Sequence, residues 1–249
     1  MFVKNSDNMM GIIKHTIKAY TKNLNLIFVF SIPLLIAFLI PIFVQLPTFS
    51  AAGGIYLRTG SLPNLSLIDI IIMVCSFLIS LYLISLAIVN INLIIKAQRT
   101  SLNIKREVIK RMKTSTLNVF LLYITFTLIL FAIQLLTYRI GMQNILAPIL
   151  SLLAAVPFFY APSALVIDDV SPEKAVLSSI NHIRRKILSF IFFLIVGFIL
   201  ISILTFVLLN INLGGIESLL IIVLNSLIII PILVVMQTQI FISKYSIIH

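Results

Sequence analysis

The chain has 249 residues and a formal net charge of +11, yet only 10% of its residues are charged and 61% are hydrophobic. A soluble domain usually carries about 25% charged residues, so this composition, with a mean hydropathy of +1.20, excludes an ordinary soluble fold and indicates an integral membrane protein. The single cysteine, Cys75, excludes an intramolecular disulfide. We expect it to be a small buried residue within a span.

The N-terminal segment is basic and amphipathic for about twenty residues before the first apolar stretch, and no small-residue cleavage site follows. This arrangement differs from that of a cleavable signal peptide, so we expect the N-terminus to remain on the mature protein. Ile13 and Ile17 recur at helical spacing beside Lys14 and Lys18. The pattern predicts a helix over residues 1–23 that lies in the plane of the lipid headgroups.

Six segments are apolar for long enough to cross a bilayer, whose core of about 30 Å takes roughly 20 helical residues. The predicted spans are residues 24–44, 67–95, 117–136, 145–167, 187–209 and 216–242. The sequence therefore predicts an all-α integral membrane protein in which residues 1–249 form one polytopic domain. The second span exceeds the hydrocarbon thickness, so we expect its lower end, with Asn90, Asn92 and Lys96, to tilt or project into water.

Basic residues orient the predicted bundle, because Lys and Arg near span ends are retained on the cytoplasmic side. With both termini inside, sixteen of the 18 basic residues lie on cytoplasmic segments, and only Arg58 and Arg139 lie outside. This asymmetry predicts a multi-pass protein of the cell membrane whose N- and C-termini are cytoplasmic. It also accounts for the net charge without a nucleic acid, because anionic headgroups attract each such cation by about 1 kcal/mol.

The cytoplasmic segments before the third and fifth spans repeat the pattern of the first. Apolar residues at intervals of three and four stand beside basic ones, as in residues 104–113 and in Val176, Ile180, Ile183 and Ile187. Three hairpins of two spans are therefore predicted, each preceded by a basic interfacial amphipathic helix. In the third copy, Ser171 suits the N-cap, followed by Pro172 and Glu173 in the first turn.

The sequence offers no set of residues for catalysis, metal or cofactor binding. The motifs of metalloproteases, redox dithiols, nucleophile elbows, P-loops and dinucleotide sites are absent, and we expect a protein that is not an enzyme and needs no cofactor. Asp69 and Glu217 each fall in the first turn of a span, where a carboxylate favours the helix start. Gln134, Asn225 and Gln237 are predicted to form hydrogen bonds between helices.

Prolines interrupt the first, fourth and sixth spans, where each removes one backbone hydrogen bond. Such bends either open a cavity or are permanent features of the bundle, and the sequence leaves both alternatives open. The candidate helix kinks are Pro33, Pro41, Pro157, Pro162 and Pro231.

Charged residues on the cytoplasmic segments are candidate contacts for lipid or for a partner. Asp168, Asp169 and Glu173 stand within six residues of one another in a chain with only seven acidic residues. The alternatives left open are that the two aspartates only turn the chain or that they also receive a partner. The candidate contact residues are Arg106, Lys110, Arg111, Asp168, Asp169, Arg184, Arg185 and Lys186.

The passage "FFYAPSALVIDDVSPEKAVLSSINHIRRKILSFIFF", residues 158–193, resembles a broad family of six-span prokaryotic membrane proteins. That family includes the membrane domain found beside some glycerophosphodiester phosphodiesterases. Matching residues occur in the family's order: Pro162, Asp168 with Asp169, Ala175 with Ser178, and Arg184 with Arg185. The motif is structural, and the phosphodiesterase domain itself is missing from this sequence, so the resemblance implies a six-span layout and no hydrolysis.

The chain also resembles the polytopic subunit of the crenarchaeal Ced DNA-import system. The shared features are its size, the number of spans, the inner basic helices and a composition rich in Ile, Lys and Asn. This resemblance implies an archaeal membrane component that works with small membrane subunits and a separate cytoplasmic ATPase. We therefore expect a non-enzymatic subunit of a translocation assembly, with DNA as a candidate cargo. The alternative is a small-solute or lipid transporter, or a membrane homeostasis protein.

Overall fold

The structure, a computed structural model, describes residues 3–44, 65–99, 104–211 and 216–243, and the side chains of these residues except 3–9, 99 and 104–110. Within those ranges the chain is helical and contains no strand. In chain order the helices are α1 (Val3–Lys22), α2 (Leu24–Val44), α3 (Leu67–Arg99), α4 (Ile104–Arg139), α5 (Gln143–Phe158), α6 (Ala161–Asp168), α7 (Pro172–Arg185), α8 (Ile187–Asn210), α9 (Glu217–Leu224), a π-helical turn (Asn225–Ile229) and α10 (Ile230–Ile242).

Six helical segments are long and apolar enough to cross a membrane, as the sequence predicts. They are Leu24–Val44, Leu67–Gln98, Arg111–Arg139, Gln143–Asp168, Ile187–Asn210 and Glu217–Ile242. Each predicted span coincides with one of these segments to within six residues at either end. The lengths and composition are those of a multi-pass membrane protein.

Six span ends meet at one end of the bundle. Asn23, just before α2, donates a 2.7 Å hydrogen bond to Gln98 near the end of α3. Lys96 of α3 donates to the backbone of α6, Arg111 of α4 pairs with Asp169 after α6, and Lys186 joins the start of α8 to the end of α10. We call this the basic end and the opposite end of the six spans the distal end.

The described Lys and Arg side chains, other than Arg139, lie on α1, on α7 or on the helix ends that gather at the basic end. The hydrophobic core lies toward the same end. It is formed mainly by residues 89–95 of α3, 160–166 around the start of α6, and 234–242 of α10. The position of the core decides which polar groups are buried.

The lower end of the second span does not project into water, which was one of the two predicted alternatives. Asn90 and Asn92 are only 1% and 0% exposed, so this part of α3 lies inside the bundle and does not project into water. The extra length of α3 is covered by α6 and α10, and hydrogen bonds from those helices satisfy Asn92. Cys75 was predicted wrongly, because its side chain is exposed on the surface of α3.

The three predicted repeats differ in their connection to the spans. Helices α1 and α7 are separate from the spans that follow, with a turn at Asn23 and a non-helical backbone at Lys186. Before the third span, by contrast, α4 runs unbroken from Ile104 to Arg139. No proline or glycine stands between Met112 and the predicted span, so nothing interrupts the helical hydrogen bonds there.

Helix α7 begins as predicted, with Ser171 in the N-cap position and Pro172 in the first turn, although the Ser171 hydroxyl makes no capping hydrogen bond. Its buried face overlaps the predicted apolar stripe only in part: Ile183 is buried as predicted, whereas Val176 and Ile180 are half-buried. The other buried residues of α7 are Ala175, Ser179 and His182. The small side chains of Ala175 and Ser179 allow close packing against the start of α6, and Ser179 also forms a hydrogen bond there.

The candidate kink prolines lie in two kinds of position. Pro33 and Pro41 are inside α2, which continues through both, and Pro157 is inside α5 two residues before an interruption of the helix. Pro162 and Pro231 occupy the first turns of α6 and α10. Pro162 follows the break in the fourth span, so it removes no helical hydrogen bond, because that N–H would have no partner within α6. Pro231 directly follows the π-helical turn in a continuous helical span, where its missing N–H removes one backbone hydrogen bond.

Candidate functional site at the basic end

The fourth span is broken at Phe159 and Tyr160, between α5 and α6. The Phe159 N–H closes the last turn of α5 on Val156 at 3.2 Å. Side chains from two other helices satisfy backbone groups at the break: the Tyr160 N–H donates to Ser179 Oγ of α7 at 3.0 Å, and Gln237 of α10 donates to the Phe159 carbonyl. Unpaired backbone groups are costly inside a membrane, so these side chains stabilise the break.

An aromatic cluster surrounds the break. The centroid of the Phe159 ring lies 4.9 Å from the centroid of the Phe190 ring and 5.0 Å from that of the Phe193 ring, both in edge-to-face geometry. The Tyr160 ring lies 4.9 Å from His182, and His182 lies 5.1 Å from Phe241. Edge-to-face pairs of this kind stabilise a core beyond the area that they bury. His182, for which no metal role was predicted, is thus a core residue of α7.

Asn92 joins three helices at the basic end. Its Nδ2 donates to the carbonyl of Ile88 within α3 at 2.9 Å. Its Oδ1 accepts from Ser163 of α6 at 3.2 Å and from Thr238 of α10. The sequence predicted hydrogen bonds between helices for Gln237 but not for Asn92, which lies at the end of the span that was expected to tilt or project into water. The position of this polar residue deep within an apolar span was the sequence signal that could have indicated its hydrogen bonds to other helices.

Two lysines contact the C-terminal ends of helices. Lys96 Nζ donates to the Val166 carbonyl near the end of α6 at 2.7 Å. Lys186 Nζ donates to the Ser243 carbonyl at 2.9 Å and to its hydroxyl at 2.7 Å, at the end of α10. Cations stabilise helix C-termini, where carbonyls lack helical partners. Partial burial lowers the pKa of Lys186. Lys186 was predicted as a contact for lipid or a partner, and its side chain instead binds Ser243 of the same chain.

The acidic turn is an ordered part of the basic end. Asp169 adopts a left-handed backbone, with φ of 57°, directly after α6. Aspartate tolerates this conformation better than most side chains, and the Asp169 carboxylate forms an ion pair with Arg111 of α4. Asp168 accepts a long hydrogen bond of 3.4 Å from Ser178 of α7. The two aspartates thus connect the turn to different helices.

The remaining candidate contact residues fall into two groups. Arg184 and Arg185 are exposed at the end of α7. The side chains of Arg106 and Lys110 lie outside the described residues. Only part of the predicted set is therefore brought together: Arg111 with Asp169 at the turn, and Arg184 with Arg185 on the surface.

Among the described residues, no group of three His, Cys, Asp or Glu side chains is placed to hold a metal ion. Asp69 has the predicted capping role: its carboxylate accepts from the Ser66 N–H at 2.9 Å and from the Ser66 hydroxyl at 2.8 Å. The Asp69 N–H donates in return to the Ser66 hydroxyl at 3.2 Å, and this reciprocal arrangement is a capping box at the start of α3. Buried polar side chains such as Asn92 and Ser179 form hydrogen bonds between helices.

Comparisons with models of protein families, with curated proteins and with solved structures gave no match to this chain. The resemblance of residues 158–193 to six-span prokaryotic membrane proteins remains a prediction from sequence.

Proposed function

We propose that this chain is a non-enzymatic, multi-pass subunit of a translocation assembly in the cell membrane, with its basic end and both termini in the cytoplasm. One observation carries the proposal. The buried Asn92 and the half-buried Gln237 form hydrogen bonds within the bundle, whereas exposed cations such as Arg184 and Arg185 are concentrated at one end. A scaffold with one charged face suits the recruitment of partners.

The proposed membrane placement puts α1 and α7 at the headgroup level as basic helices, each ahead of a hairpin of two spans. In α1, Lys14, Lys18 and Lys22 are exposed, while Ile12 and Ala19 are buried against the bundle. Each exposed cation gains about 1 kcal/mol beside anionic headgroups. These observations support the cytoplasmic orientation, which single cysteines introduced into a Cys75→Ser chain would test by labelling from either side of the membrane.

In the proposed assembly, small membrane subunits are partners and a separate cytoplasmic ATPase supplies the energy, because the sequence has no nucleotide motif of its own. The exposed arginines of α7 would meet either that ATPase or the phosphate backbone of imported DNA, which cations bind by releasing counterions. Deletion of the gene is expected to abolish uptake of a selectable DNA marker. Unchanged uptake would contradict DNA import.

Complementation sharpens this test. The wild-type gene is expected to restore uptake in the deletion strain, whereas an Arg184→Glu/Arg185→Glu variant is expected to restore little. The matched control is Arg139→Glu, which reverses a charge at the distal end and should restore uptake fully. Equal uptake by the two variants would contradict a role for the α7 arginines.

A second candidate, a small-solute or lipid transporter, is favoured by the interruptions in two spans. The break at Phe159 and Tyr160 and the π-helical turn Asn225–Ile229 are features often found at functional sites. A solute or lipid found at the interrupted helices of the purified protein would support this candidate, and a centre without bound ligand would contradict it.

A further inference from the structure

A cleft of about 400 Å³ opens at the basic end between α4 and the turn from α6 to α7. Its volume falls within the range of about 300–1,000 Å³ typical of small-molecule sites. Four of its lining residues lie on one face of α4, and the others come from the end of α6 and from the turn. The lining residues are Arg111, Thr114, Ser115, Asn118, Leu165, Asp169, Val170 and Ser171.

The hydroxyl and amide side chains of this cleft have no hydrogen-bond partner among the described residues. Farther along α4, Thr125, Thr127 and Thr137 each donate a hydrogen bond to the carbonyl four residues earlier. In the cleft, no hydrogen bond of the described chain involves the side chains of Thr114, Ser115, Asn118 or Ser171. Ser115 is only 7% exposed, so its unpaired hydroxyl is available to the cleft and to little else. Thr116, which does not line the cleft, also lacks a partner.

The charges of the cleft favour a neutral ligand. Arg111 and Asp169 form an ion pair with each other, so a ligand with a net charge would have to compete with one of them. The hydroxyls and the amide of the lining both donate and accept hydrogen bonds, which matches the hydroxyl groups of a polyol. Leu165 and Val170 add apolar contacts for the carbon skeleton of such a ligand.

We propose that this cleft binds a neutral, hydroxyl-rich group such as a hexose or glycerol unit. Binding of such a group does not depend on the membrane placement proposed above. Only the identification of its source, a lipid or a free sugar, rests on that placement. Arg111 begins one candidate span and Asp168 ends another, so in that placement the cleft lies at headgroup depth and a glycolipid supplies the polyol. A free sugar has the same chemistry, and the experiment distinguishes the two sources.

Native mass spectrometry of the full chain in detergent tests the proposal with three probes: a hexosyl diacylglycerol, a phosphatidic acid with the same acyl chains, and free hexose. We expect the hexosyl lipid to bind and a Ser115→Ala/Asn118→Ala variant to bind it about tenfold more weakly, because two hydrogen bonds are lost. The matched control, Ser189→Ala/Asn25→Ala, changes the same residue types outside the cleft and should bind as the wild type does.

Displacement of the hexosyl lipid by free hexose would support the cleft as a polyol site open to soluble sugars, and failure to displace it would support a lipid-bound source. Preference for phosphatidic acid, or equal binding of the hexosyl lipid by the variant and the control, would overturn the proposal. If the double variant does not fold, Thr114→Val at an exposed position provides the same comparison. DNA uptake is measured separately, so a failure here is distinguishable from a failure of the proposed function.

Discussion

The two ends of the bundle use the same six spans but pack them in different ways. At the basic end, Val235 of α10 and Asn92 of α3 are completely buried. At the distal end, Leu67 of α3 and Phe206 of α8 are 74% and 70% exposed. Apolar surface gains nothing by leaving lipid for a protein core, so hydrophobicity alone does not close the distal end. Polar side chains that join helices specify the packing at the basic end.

The largest expected effect comes from removing the residue that joins three helices. Asn92→Leu keeps the approximate volume but leaves the Ser163 hydroxyl without its partner, so we expect a loss of about 1–3 kcal/mol in unfolding free energy. Equilibrium unfolding in mixed micelles measures the loss. Asn210 lies exposed at the distal end and bonds only to its own helix. Asn210→Leu should therefore cost less than about 0.5 kcal/mol, and equal losses would remove the difference between the ends.

A second, smaller effect is expected at the helix break. Gln237→Met removes the donor to the Phe159 carbonyl and should cost about 1–2 kcal/mol, because that carbonyl then lacks this partner in a nonpolar surrounding. Gln134→Met, in the distal part of α4, removes an amide with no hydrogen bond in the described part of the chain. Thermal unfolding of both variants in the same detergent makes the comparison. A larger loss for the control would contradict the role assigned to Gln237.

Lys186, whose side chain contacts the end of α10, provides a third comparison. Lys186→Met removes a cation and two hydrogen bonds from a helix C-terminus and should destabilise by about 1 kcal/mol. Lys22→Met removes an exposed lysine of α1 and is expected to change the unfolding midpoint little. Similar midpoints for the two variants would mean that Lys186 acts only as a surface charge.

The smallest effect is expected at the acidic turn. Asp169→Asn keeps a side chain that tolerates the left-handed backbone and removes an ion pair whose partners are 33% and 62% exposed. Exposed pairs contribute about 0.2–1 kcal/mol, so stability should fall by that amount or less, and more at low salt than at high salt. A combined Asp168→Asn/Asp169→Asn variant that is stable but fails to assemble would show that the turn also receives a partner.

The sequence predicted the number and positions of the spans because hydropathy and length suffice for them. The start of α7 at Pro172 and the capping role of Asp69 were predicted from local chemistry and are confirmed. The burial of Asn92 was missed because it depends on Ser163 and Thr238, which are far away in sequence. The cleft beside Ser115 was missed for the same reason, since a helix face and a distant turn form it together.

The central claim, that the basic end is joined by polar contacts between helices, is tested most directly by a double-mutant cycle on Asn92→Leu and Thr238→Val. Their hydrogen bond joins α3 to α10, so we predict a coupling free energy of about 0.6 kcal/mol, the average for such bonds in membranes. A matched cycle of Asn210→Leu with Thr238→Val should give additive losses. Additive losses in the first cycle as well would contradict the claim.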